Sequence, residues 1–223
     1  IIHVVGSVFA LILCALQREK KKLLGHRPRW IYLGGAIGVF TTVFQSMAYG
    51  YISMTSIVAL SLLGQTVTAL FIDCLGLFGM EKRPFQKTSL PGLIFAALGI
   101  FLMMDTTVTT AFVAVCVSLC SGLSIVLSRT VNARLAAHTG ALRGSLINHL
   151  VGLPITVVLA FALSQGRPLA GAAAQSFRPW IYLGGTMGVA LVLLYNIIVP
   201  RVSAFRRTTL SFLGQLFTGS LLD

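Results

Sequence analysis

The stretch WIYLGGAIGVF at residues 30–40 returns as WIYLGGTMGVA at 180–190. Holding that offset of 150, residues 30–73 and 180–223 align without a gap and agree at 16 of 44 positions. The agreements include Gly38/Gly188, Ser53/Ser203, Thr68/Thr218 and Asp73/Asp223, and LSLLGQ at 60–65 is answered by LSFLGQ at 210–215. Upstream, IIHVVG at 1–6 matches INHLVG at 147–152 with an offset of 146, a change that one shorter loop accounts for. Self-similarity at a fixed period is the mark of a duplicated structural unit.

Composition says what kind of unit is duplicated. Of 223 residues, 56% are apolar and only 10% charged, with a mean hydropathy of +0.90. A soluble domain needs about a quarter of its residues charged to hydrate its surface, so a soluble enzyme is excluded. Apolar runs fall at about 1–16, 31–50, 57–79, 90–104, 111–128, 144–163, 181–200 and 208–223. Most approach the ~20 residues that carry a helix across ~30 Å of hydrocarbon. The ten-residue alternation of a membrane β-barrel is missing. DTTVTT at 105–110 divides two of the runs and predicts a tight hairpin.

The sequence predicts an all-α polytopic membrane protein. Both ends lie inside apolar runs, without an initiator Met, which predicts an interior piece of a longer chain. Completing the duplication gives two repeats of five helices, 1–108 and 109–223, ten in the intact chain with eight visible. Five spans is an odd number, so the second repeat must enter the bilayer upside down. Inverted repeats place a substrate path near the midplane and are typical of secondary transporters.

The bases test this topology. Loops 17–30, 80–89, 129–143 and 201–207 hold 15 of the 17 Lys and Arg, and the alternate loops hold only Arg167 and Arg178. The positive-inside rule makes the basic loops cytoplasmic, and with them both termini of the intact chain. The net charge of +12 thus reports orientation, and no nucleic-acid partner is expected.

Polar residues inside apolar runs are the functional candidates, because burying them in lipid is costly. Gln65 and Gln215 occupy equivalent sites roughly 10–13 Å deep. They read either as substrate-contacting amides or as an interhelical hydrogen bond joining the halves. Gln45 and Ser46 align with Tyr195 and Asn196, as expected of an asymmetric pocket. Asp73 and its mate Asp223 suit ion coupling, or pairing with a loop base. His3 and His149 match across the repeats and suit proton transfer, or a hydrogen-bonded histidine near a helix end. Cys14, Cys74, Cys116 and Cys120 read as free thiols in apolar surroundings. The faces Gly34–Gly38 and Gly184–Gly188 suit close packing or a homodimer contact. No metal site, cofactor motif or enzyme signature is visible.

These residues resemble the drug/metabolite transporter superfamily, in particular its YdcZ-type branch of bacterial inner-membrane exporters. The resemblance is carried by NARL at 132–135, by WIYLGG and its following glycine, and by LGQ followed by an aspartate and GLFG at 76–79. It implies efflux of a small molecule driven by an ion gradient across the bacterial cytoplasmic membrane. Small multidrug relatives use a glutamate in their first helix, whereas 111–128 carries no acid. The expected protein is a secondary-active exporter working by alternating access. Its substrate is a small neutral or cationic hydrophobic solute, with protons or another ion for coupling. The alternative is a non-transporting membrane scaffold or partner subunit.

Overall fold

The computed structural model describes residues 1–17, 28–85, 87, 90–103, 106–109, 111–163 and 180–222. These hold α1 (Ile2–Gln17), α2 (Gly34–Ala48), α3 (Met54–Leu75), α4 (Leu90–Met103), α5 (Phe112–Thr139), α6 (Ala141–Leu163), α7 (Trp180–Ile198) and α8 (Ala204–Leu222). Each lies on one of the eight apolar runs, and no strand occurs among the described residues. Helices α3, α5 and α6 are long and apolar enough to cross a membrane, while α1, α4 and α7 are apolar but shorter.

Local chemistry sets the ends. Ser53 has extended backbone and its Oγ accepts from the Ser56 amide at 3.1 Å, starting α3. Gly76, at φ 65°, closes α3 in the left-handed conformation that glycine adopts without strain. One boundary departs from the sequence expectation. Residues 129–143 are not a loop, because α5 continues through Arg129 and Arg134 to Thr139. Nothing between Gly122 and Gly140 breaks a helix, and the turn is compressed into Gly140 at φ 93°.

The chain divides into two compact units, Ile1–Val39 with Ser128–Ile198, and Phe40–Leu127 with Val199–Asp223. Each unit draws on both sequence repeats. In the first, Ala10, Leu146 and Val189 join α1, α6 and α7, and Ile31 packs with Leu135 and Ile147. In the second, Ala48, Ile52, Ile57, Leu60 and Ala114 form one cluster. A second cluster joins Ala59, Leu62, Ile100 and Phe212. Large apolar side chains meanwhile face outward: Leu102 is 81% and Phe112 78% exposed, whereas Ser118, Ser121, Gln65 and Asp73 are buried. In water this would be inside out; in lipid the outer shell is solvated by acyl chains and polar groups must find partners inside.

Two contacts organise the second unit. Gly64 and Gly122 let α3 and α5 cross backbone to backbone. A methyl on Gly122 would meet the Ser61 carbonyl and come within 2.7 Å of the Gln65 nitrogen. Beside the crossing, Ser121 Oγ donates to Ser61 Oγ at 3.0 Å. Farther along α3, Asp73 takes the backbone N–H groups of Ala204 and Phe205 on separate carboxylate oxygens, both at 2.9 Å. The end of α3 thereby caps the start of α8, and the pair runs antiparallel with Phe212 back near Ala59 and Leu62. A carboxylate satisfies the orphan amides of a helix N-terminus and complements its dipole.

Gly122→Ala should lower the melting temperature of the detergent-purified protein, since overpacking costs about 1–3 kcal/mol. Gly92→Ala makes the same chemical change where nothing lies within 4 Å, and should leave melting unchanged or raise it. Asp73→Ala should cost about 2–3 kcal/mol for the lost charged acceptor, and Asp73→Asn, which keeps one carbonyl oxygen, should fall between. Normal melting of Asp73→Asn with transport abolished would instead make Asp73 a coupling carboxylate.

Candidate functional site

In the first unit the two matched histidines meet. His3 on α1 and His149 on α6 pack edge to face, with ring centroids 5.4 Å apart. Glycines make the room. A methyl on Gly6 would lie 2.7 Å from His149 Nδ1, and one on Gly152 would lie 2.8 Å from His3 Nδ1. These contacts are images of one another, since the offset of 146 carries His3 to His149 and Gly6 to Gly152. The earlier residue of α1 meets the later one of α6, so the two helices cross antiparallel. The flanking helices repeat the correspondence. Gly35 of α2 abuts the Asn148 carbonyl and Gly152 nitrogen, and Gly185 of α7 abuts the Ile2 carbonyl and Gly6 nitrogen. His3 Nδ1 and both ring nitrogens of His149 are buried with no hydrogen-bond partner among the described residues. Buried polar atoms of that kind mark a place that a polar ligand or a water molecule could occupy.

Around this centre runs a chain of hydrogen bonds that the sequence reading did not single out. Asn132 Nδ2 donates to Asn148 Oδ1 at 2.7 Å and lies 3.4 Å from Ser128 Oγ, which itself donates to the Gly34 carbonyl at 2.7 Å. Helices α6, α5 and α2 are thus linked through three side chains. The signal was legible as Ser124, Ser128 and Asn132 at four-residue spacing on one helix face. Arg129 and Arg134 obscure it, since bases after an apolar run read as a cytoplasmic loop.

Of the predicted pocket residues, two lie in this unit. The Tyr195 ring carries the Arg129 guanidinium over its face, 4.0 Å from the centroid, a cation–π contact strengthened by desolvation. Asn196 is buried and its Nδ2 donates to the Ala141 carbonyl at 2.9 Å, tying α7 to the start of α6. The glycine faces of α2 and α7 are used inside the chain, against α5 and α6 and against α1.

The other candidates lie in the second unit, and their surroundings differ. Gln65 is 3% exposed at the crossing of α3 with α5, whereas Gln215 on α8 is exposed. Gln45 is half-buried and Ser46 exposed on α2. Asp73 directs its carboxylate to the α8 N-terminus. Asp223 lies outside the described residues, as do Glu19 and Asp105. Glu81 is exposed and pairs with Arg83 at 2.9 Å. None of the four cysteines forms a disulfide. Among the described residues no three His, Cys, Asp or Glu side chains gather as a metal site would require.

Among its described residues the first unit contains no Asp or Glu. It offers a polar interior, closely crossed helices and two facing imidazoles inside an apolar shell. Comparison with known proteins adds the family. No curated protein and no solved structure matches the chain. The family model DMT_YdcZ, described as "Putative inner membrane exporter, YdcZ", matches residues 1–102 and 113–223. The chain is therefore a helical membrane protein that belongs to the YdcZ inner-membrane exporter family.

Proposed function

We propose that the chain is a secondary-active exporter of a small hydrophobic solute, built from two inverted five-helix repeats that alternate access to a central path. The observation that carries this is the reciprocal contact of His3 with Gly152 and His149 with Gly6. Helices equivalent in sequence cross there antiparallel, as a two-fold axis in the membrane plane requires. The antiparallel pairing of α3 with α8, themselves equivalent at an offset of 150, supports the same symmetry. So does the division of the family match on either side of residues 103–112.

The geometry also narrows the solute. The Tyr195 face that would hold a cationic solute holds the protein's own Arg129, which favours a neutral solute over a cation. Gln65, Gln215, Gln45 and Ser46 remain proposed solute contacts, and Asn196 braces α7 against the start of α6. Proton coupling falls to His3 and His149, which sit on the proposed axis with unpartnered nitrogens. Asp73, engaged with two amides, acts as an anchor. The cell setting is the bacterial inner membrane with both termini of the intact chain cytoplasmic, and the runner-up is a non-transporting scaffold or partner subunit.

Single cysteines introduced at residues 17–30 and at 164–180 should react with an impermeant reagent from opposite faces of oriented vesicles. Reaction from the same face would remove the inverted symmetry. In proteoliposomes, a panel of neutral hydrophobic solutes should include one whose flux follows a pH gradient. His3→Gln with His149→Gln should reduce that flux to its gradient-independent level while solute exchange persists. A protein that moves no member of the panel above protein-free liposomes would favour the scaffold.

A further inference from the structure

In the second unit a cavity of about 470 Å³ opens where α3 ends and α8 begins. Its charged lining is one-sided: Lys82, Arg83, Arg201 and Arg206 against the single acid Asp73. That acid accepts from the Ala204 and Phe205 amides, and its one negative charge leaves the four bases in excess. Arg83 is held by Glu81 at 2.9 Å. Lys82, Arg201 and Arg206 are exposed, and the lining brings them no further carboxylate. The rest of the wall is mainly apolar, with Leu70, Cys74, Pro84, Phe85, Val202 and Phe205 beside the hydroxyl of Ser203. Cations beside an aromatic and aliphatic wall, at the ends of two apolar helices, match a ligand that is anionic at one end and greasy at the other.

We propose that this cavity binds a phosphate group, held by Lys82, Arg201 and Arg206, with the apolar part of the ligand lying on Phe85 and Phe205. The phosphate can belong to the headgroup of an anionic phospholipid or to a soluble phosphate. Basic pockets at the ends of membrane helices recognise headgroups in this way, through charge that salt screens. The apolar wall favours the lipid, because a small free phosphate would leave Phe85 and Phe205 uncovered.

The test uses the full chain in detergent, with bound lipid read by native mass spectrometry and stability by thermal melting. Three ligands are added separately: phosphatidylglycerol, phosphatidylcholine and inorganic phosphate. Phosphatidylglycerol should stay bound and raise the melting temperature, and phosphatidylcholine should not. Each of Lys82→Gln, Arg201→Gln and Arg206→Gln should weaken phosphatidylglycerol binding by about fivefold, the effect of one base near an anionic surface. The triple variant should lose binding while keeping its helical circular dichroism, since all three side chains are exposed. Arg29→Gln, in the other unit, should change nothing. Stabilisation by inorganic phosphate equal to that by the lipid, and lost in the triple variant, would keep the site and assign it to a soluble phosphate. A triple variant that binds phosphatidylglycerol as the parent does would overturn the proposal. Equal weakening by Arg29→Gln would do the same, since attraction would then be a matter of bulk charge. Transport is not a readout here, so failure of the exporter function leaves this result standing, and the reverse.

Discussion

The structure depends on backbones approaching closely enough that polar groups can be satisfied inside a chain whose outer surface is apolar. Lipid offers neither hydrogen bonds nor a hydrophobic push to bring helices together, so contact must come from packing and from internal partners. Glycine supplies the approach at Gly64 with Gly122 and at Gly6 with Gly152. Once the helices are that near, short side chains suffice to bridge them, as Ser121 does to Ser61 and Ser128 to the Gly34 carbonyl. A larger residue at these crossings would separate the very groups that need one another.

The same constraint explains why the buried acid is tolerable. Asp73 is 6% exposed, and an isolated carboxylate at that depth would be costly. Two backbone amides at 2.9 Å and the positive end of α8 give it partners without a counter-ion. The arrangement fixes where α8 begins, which keeps Arg201 and Arg206 at the rim of the adjacent cavity. Structural anchoring and the placement of surface charge are thus consequences of one side chain.

Much of this was legible in the sequence. Apolar runs located each of the eight described helices, seven of them to within about four residues, because a 20-residue apolar stretch has few alternatives in lipid. The offset of 146 identified His3 and His149 as equivalent before any geometry placed their rings together. The duplicated glutamines were less informative. Identical residues at 65 and 215 occupy a buried and an exposed position, since repetition fixes a register on a helix but not what packs against it. The polar relay through Ser128, Asn132 and Asn148 went unseen for another reason. Arginine after an apolar run reads as a loop residue, yet Arg129 lies within a helix, its charge resting on the Tyr195 ring. A side chain that long can carry its charge away from lipid while its backbone stays helical.

Reciprocal contacts have a mechanical consequence for the proposed exporter. When two helices equivalent in sequence cross about their own matched residues, exchanging the roles of the halves restores the same contacts. The two states of such a crossing are then close in energy, and a modest difference in ligand or proton affinity can shift the balance between them. Histidines at that crossing are well placed to supply the difference, since charging one of them changes the electrostatics at the point where the exchange pivots. Residues that do not repeat, Gln45 and Ser46 against Tyr195 and Asn196, set what the halves do not share. For the proposed exporter, equivalence at the crossing would let it turn over with little cost, and the driving gradient would set the direction of net flux.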